Sequence, residues 1–101
     1  MRYEKLVRDK IPSIIEAGGK TPITRILSQE EYRHYLEAKL DEEVAEFHKD
    51  KNAEELADIL EVVYALADAI GCDRKTLLDA YEKKHPSRGG FADRVFLLET
   101  E

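Results

Sequence analysis

The residues with the most chemistry to offer are carboxylates gathered in two places. One stretch carries Glu42-Glu43-Val44-Ala45-Glu46; a second carries Glu54-Glu55-Leu56-Ala57-Asp58, with Glu61 a turn later. Residues three apart share a helix face, so Glu43 and Glu46 can point together, and so can Glu55 and Asp58. Glu43 also lies three residues after Leu40 and four before Phe47, which sets it beside an apolar seam. Like charges converging on a partly dry seam repel and resist losing water. A divalent cation relieves both costs. Magnesium takes oxygen ligands, keeps part of its water shell and bridges carboxylates to phosphates. It also polarises a phosphoryl group and activates water. The bland counterpart is a solvated acidic face: Glu is a good helix former, and acids gather in first helical turns, where Glu54 and Glu55 fall.

Two helices must position these acids. Ser28 and Glu31 form a Ser-x-x-Glu capping box, and the helix after it should run to about Lys49 with Tyr32, Tyr35, Leu36, Leu40, Val44 and Phe47 inward. Asn52 and Glu55 give a second capping signature. The helix after that should reach about Ile70, with Leu56, Ile59, Leu60, Val63, Leu66 and Ile70 inward and Gly71 as its stop. The short link between them makes an antiparallel hairpin, bringing the end of one acidic stretch near the start of the other.

The flanks read as smaller elements. Residues 6–17 form a short apolar-periodic stretch, in which Pro12 suits the first turn of a short helix that Gly18-Gly19 ends. Asp73 caps a helix over roughly 74–85, which Pro86 should end. Residues 23–27 (ITRIL) and the RVFLL segment 94–98 have strand character and could pair as a small two-stranded sheet. The expected class is therefore all-α in the main: a helical hairpin with additional short helices, in one domain spanning 1–101.

Composition narrows the partners. The net charge of -6 at pH 7 works against a nucleic-acid polymer, whose affinity rests on phosphate contacts. A small phosphate ligand stays open, because a bound cation inverts the local field. No apolar run reaches bilayer length, and the opening MRYEKLVRDK lacks a signal core. The lone Cys72 excludes an intrachain disulfide, and a reducing cytoplasm is the expected setting.

With these residues in view, Glu43-x-x-Glu46 followed by Glu55-x-x-Asp58 resembles the ExxE…ExxD signature of the all-α nucleotide pyrophosphohydrolases, which include MazG-type enzymes and phosphoribosyl-ATP pyrophosphohydrolase. LDEEVAEF and EELADILEVVYAL are similar to that superfamily's metal-binding helices. The opening KLVRDKIP and the ending RGGFADRVFL resemble a small subgroup, so the likeness covers most of the chain. It implies Mg²⁺-dependent hydrolysis of a nucleoside triphosphate or phosphoribosyl nucleotide between the α- and β-phosphates, giving a monophosphate and pyrophosphate. It also implies Glu43, Glu46, Glu55 and Asp58 as metal ligands, with Mn²⁺ as a substitute ion. Glu46 is the candidate base. The interval between Glu46 and Glu55 is shorter than in many MazG proteins, so substrate identity does not carry over. A homodimer or higher homo-oligomer is expected, both from the resemblance and because the long helices are apolar over wide faces that include Val62, Val63 and Tyr64.

Basic residues collect near both ends: Arg2, Lys5, Arg8 and Lys10 early, and Lys83, Lys84, Arg88 and Arg94 late. Arg8, Lys84, Arg88 and Arg94 lie in the resembling segments and are the candidate phosphate-binding residues; the alternative is ordinary solvated charge. Asp50, Asn52, Glu54, Asp58 and Glu61 match calcium-loop positions, but Glu55 stands where the sharp turn needs Gly. His34, His48 and His85 show no paired ligand spacing. The rival functional classes are a nucleotide- or metal-binding module without turnover, and a structural helical dimer.

Overall fold

The computed structural model describes residues 4–101, so Arg2 lies outside the described residues. Among them are four helices and no strand: α1 (Ile11–Ala17), α2 (Gln29–Asp50), α3 (Ala53–Ala69) and α4 (Arg74–Arg88). The all-α reading holds. The helix starts are written in side chains. Ser28 Oγ accepts from the Glu31 amide while the Glu31 carboxylate accepts from the Ser28 amide, closing the capping box. Asn52 accepts from the Glu55 amide at 3.0 Å, and Asp73 from the Thr76 amide at 2.8 Å.

Only Lys51 and Asn52 separate α2 from α3. Lys51 takes the left-handed region (φ 51°) and donates its amide to the Phe47 carbonyl, which ends α2 within one residue. The two helices then run antiparallel in contact along their length, and α3 packs against α4. Arg74 lies 3.8 Å over the Tyr64 ring and ties the start of α4 to α3. Among the described residues, α1 packs on none of the other helices.

Three expectations need correction. The pairing of 23–27 with 94–98 does not form, since neither segment is a strand. An isolated two-stranded ribbon is marginal unless one face packs on something, and Ile23, Ile26 and Phe96 are 98%, 95% and 84% exposed. Arg25 is instead tied to Glu31 by a two-pronged ion pair at 2.9 and 3.2 Å, which fixes 23–27 against the start of α2. Second, α4 runs through Pro86 to Arg88. Proline lacks an N–H to continue the ladder, but so close to the helix end the loss is small, and the Gly89 amide closes the last turn on the His85 carbonyl. Third, Leu56, Leu60 and Ile70 do not face the hairpin core; they are 52%, 49% and 71% exposed. Val62 and Ala67 are the buried residues of α3, and Leu36 that of α2. α3 is apolar over so wide an arc that its spacing does not select one face.

The molecule is drawn out, 59 × 31 × 24 Å. Its radius of gyration is 17.7 Å, against about 13 Å for a compact chain of this length. Leu36, Val62 and Ala67 are its buried core among the described residues, and none of them is wholly out of reach of solvent.

Candidate metal centre

The two-residue link brings the last turns of α2 beside the first turns of α3, and with them the acids. Glu43, Glu55 and Asp58 each offer one carboxylate oxygen, all within 4.8 Å of one another, in a half-buried setting. A second triplet, Glu46, Asp50 and Glu55, meets the same distance on the more exposed side. Glu55 belongs to both. The four acids expected from the sequence thus divide: three share one cluster, while Glu46 joins the other through Glu55. Asp50 was not among the expected ligands. Its signal is in the sequence, since it lies four residues beyond Glu46 on the same helix.

Cations of the chain hold part of this cluster. Lys39, with its side chain only 15% exposed, sits 3.2 Å from Glu42 and 3.3 Å from Glu43. Sequence reasoning missed Lys39, although its i,i+4 spacing to Glu43 was legible. Burial pushes the Glu42 carboxyl up, but the Lys39 hydrogen bond and the Lys39 and Lys5 charges outweigh it, leaving Glu42 below the ordinary range. Arg8 reaches Asp58 at 3.1 Å and Glu61 at 3.9 Å. The candidate phosphate-binding residue Arg8 therefore stands on a candidate metal ligand, which anchors the segment before α1 to α3.

Glu46, Asp50 and Glu55 have no such partner: among the described residues, none of them forms an ion pair. Glu55 shows the consequence. Desolvation, then the charges of Asp50, Asp58, Glu46 and Glu43, hold its carboxyl above the ordinary range. Two features of the donor set suit magnesium: every donor is a hard carboxylate oxygen, and one of them bridges both triplets. No His or Cys enters either triplet, so the set does not resemble a zinc site.

The remaining candidates stay apart from the acids. Lys84 and Arg88 lie on the last turns of α4, and Arg94 follows them in the left-handed region. All three are exposed, and among the described residues none makes an ion pair. His34, His48 and His85 are exposed as well. Ala53 already begins α3, so Glu54, Asp58 and Glu61 fall on that helix, while Asp50 ends α2 and Asn52 lies in the link. No described helix is long and apolar enough to cross a membrane.

Comparison with known proteins places little beside this geometry. No family model matches the chain, and no solved structure matches it. The chain is similar to an uncharacterised protein of Mycolicibacterium smegmatis, 62% identical over 42 residues. That stretch is 42% of this chain and 43% of the relative, so the chain matches less than half the length of the curated relative.

Proposed function

We propose that this protein is a Mg²⁺-dependent nucleotide pyrophosphohydrolase acting on a nucleoside triphosphate or a phosphoribosyl nucleotide. One observation carries the reading: Glu46, Asp50 and Glu55 converge without a cation of the chain among the described residues, beside Glu43 and Asp58. Like charges this close repel one another, and a bound cation would relieve that repulsion. The resemblance of Glu43-x-x-Glu46 and Glu55-x-x-Asp58 to the superfamily's signature supports the same reading.

Glu43, Glu55 and Asp58 would hold the ion, with Glu46 and Asp50 at its exposed side. When bound, Mg²⁺ supplies positive charge to phosphate oxygens and lowers the pKa of water. Glu46, in the exposed triplet, then takes the proton of a water whose oxygen bonds to the α-phosphorus. The bond from that phosphorus to the bridging oxygen breaks, and pyrophosphate leaves. Arg8 can pass from Asp58 to a phosphate once a metal compensates the carboxylate. Lys84, Arg88 and Arg94 belong to this reading as phosphate-binding residues brought by a second copy of the chain or by movement of α4. A cytoplasmic homodimer packed through the hairpin completes it.

A second reading is favoured by the Lys39–Glu43 and Arg8–Asp58 pairs: a helical module whose acids are neutralised within the chain and which carries out no turnover. Incubating the pure protein and Mg²⁺ with a panel of nucleoside triphosphates and phosphoribosyl nucleotides separates the two. The expected result is Mg²⁺-dependent pyrophosphate release from at least one compound. Release from none overturns the enzymatic reading, and the absence of saturable Mg²⁺ binding overturns the metal site with it.

A further inference from the structure

Among the described residues, the segment after α4 carries a run of exposed large apolar side chains. Phe91, Val95, Phe96, Leu97 and Leu98 are 97%, 87%, 84%, 75% and 85% exposed. Beyond Arg94 the chain has no regular structure. In an extended run, alternate side chains face opposite sides. Val95 and Leu97 then point one way and Phe96 and Leu98 the other. A run apolar on both faces needs cover on both, as strands buried within a fold do.

A matching surface lies on α3. Leu56, Leu60 and the C-cap residue Ile70 are left about half exposed or more, and at 100° per residue they fall within an arc of about 80° along the helix. The total area says how much cover is missing. The chain exposes 9343 Å², whereas a compact monomer of 11.6 kDa exposes about 5,800 Å². The difference, roughly 3,500 Å² per copy, is well above the roughly 800 Å² per partner that a standard stable interface buries. Arm and flank are both largely uncovered within one chain, so two copies can offer each other both halves of the contact. That is the self-complementary surface a two-fold dimer requires.

We propose that residues 91–98 form an arm that docks on the Leu56–Leu60–Ile70 flank of α3 in a second copy of the chain. The inference rests on the two-copy assembly proposed above and names the segment that holds it together. The two phenylalanines alone put about 300 Å² into each arm contact, at about 150 Å² each, and Val95, Leu97 and Leu98 add to it. Two reciprocal contacts, counting both surfaces, reach about 1,200 Å² from the phenylalanines alone, the lower edge of the range for stable interfaces. Docking also carries Arg94, which has no ion pair among the described residues of its own chain, onto the acidic helix of its neighbour.

The test uses the full chain and a variant with Phe96→Ser and Leu98→Ser. Neither residue contributes to the buried core, so helical circular dichroism should be unchanged. Sedimentation should show a dimer for the native chain at micromolar concentration and at least a tenfold weaker dimer for the variant. A Cys72→Ser background removes the native thiol. In it, one preparation carries Leu60→Cys and the other Leu98→Cys, and mixing them should give an interchain disulfide between the two. A native chain that sediments only as monomer removes the two-copy assembly and the arm with it. A native dimer that the double variant leaves equally tight, or that forms no mixed disulfide, removes the arm alone.

Discussion

Glu55 is where the two acidic triplets meet, and its carboxyl is held above the ordinary range by desolvation and then by the charges of Asp50, Asp58, Glu46 and Glu43. A raised carboxyl favours the folded state while protonated and disfavours it once charged, so near neutral pH the apo protein carries an electrostatic penalty at this position. Glu55→Gln removes that charge and should raise the denaturation midpoint of chelator-treated protein near neutral pH. It should also weaken Mg²⁺ binding, because a shared oxygen donor is lost; a fall in apo stability would mean that the carboxylate is structural. Asp58 makes the complementary case. Its pair with Arg8 is open to solvent, with the two side chains 58% and 38% exposed, and such pairs are worth about 0–1 kcal/mol. Asp58→Asn should therefore change apo stability by less than about 1 kcal/mol while nearly abolishing Mg²⁺-dependent turnover. Normal turnover in that variant removes Asp58 from the ligand set.

The helices depend on their first residues, which set where the acids stand. Asn52 holds the Glu55 amide and so fixes the start of α3 directly beneath the cluster. Asn52→Ala should cost about 1 kcal/mol, while Asn52→Gly should cost only a few tenths; urea titration of the three proteins reads the difference. At the start of α2, Glu31 is pushed down to about 2 from an ordinary 4.5 by the Arg25 hydrogen bond, then by the Ser28 amide. A lowered carboxyl stabilises the fold above its unfolded value and loses that contribution as pH falls through the folded value. The support from Glu31 is thus complete above pH 4.5 and fades toward about 2. Glu31→Gln should lower the denaturation midpoint near neutral pH and converge with the native chain in acid. A gap that persists unchanged to the lowest pH would show that charge has no part in the cap.

Over the whole molecule, very little apolar surface is covered by one copy. Leu36, at 3% exposure, is the most buried side chain among the described residues. Leu36→Ala should cost about 3 kcal/mol, through lost transfer energy and the cavity left behind. In a chain with so small a core, that loss should leave a large fraction unfolded, which a denaturation curve reads directly. If a second copy covers the exposed arm and the α3 flank, native stability belongs to the dimer. The midpoint of thermal unfolding should then rise with protein concentration, and a midpoint independent of concentration would mark the drawn-out monomer as self-sufficient.

Local chemistry made much of this protein legible without its structure. Ser28, Asn52 and Asp73 announced three helix starts because a side-chain oxygen satisfies an amide only residues away. The Glu43 and Asp58 positions could be placed near one another because the link between their helices is too short to send them elsewhere. What lies across the fold was not readable. The wide apolar arc of α3 concealed that Val62, rather than Leu56 and Leu60, faces inward. The strand character of 23–27 and 94–98 is a preference that pairs only where packing rewards it, and one copy offers neither segment such a surface. Lys39 and Arg8 became partners of Glu43 and Asp58, and Glu46 was divided from those two acids, only when α2, α3 and the segment before α1 took up their positions. Contacts between elements depend on helix rotation and reach, which spacing along a single helix does not encode.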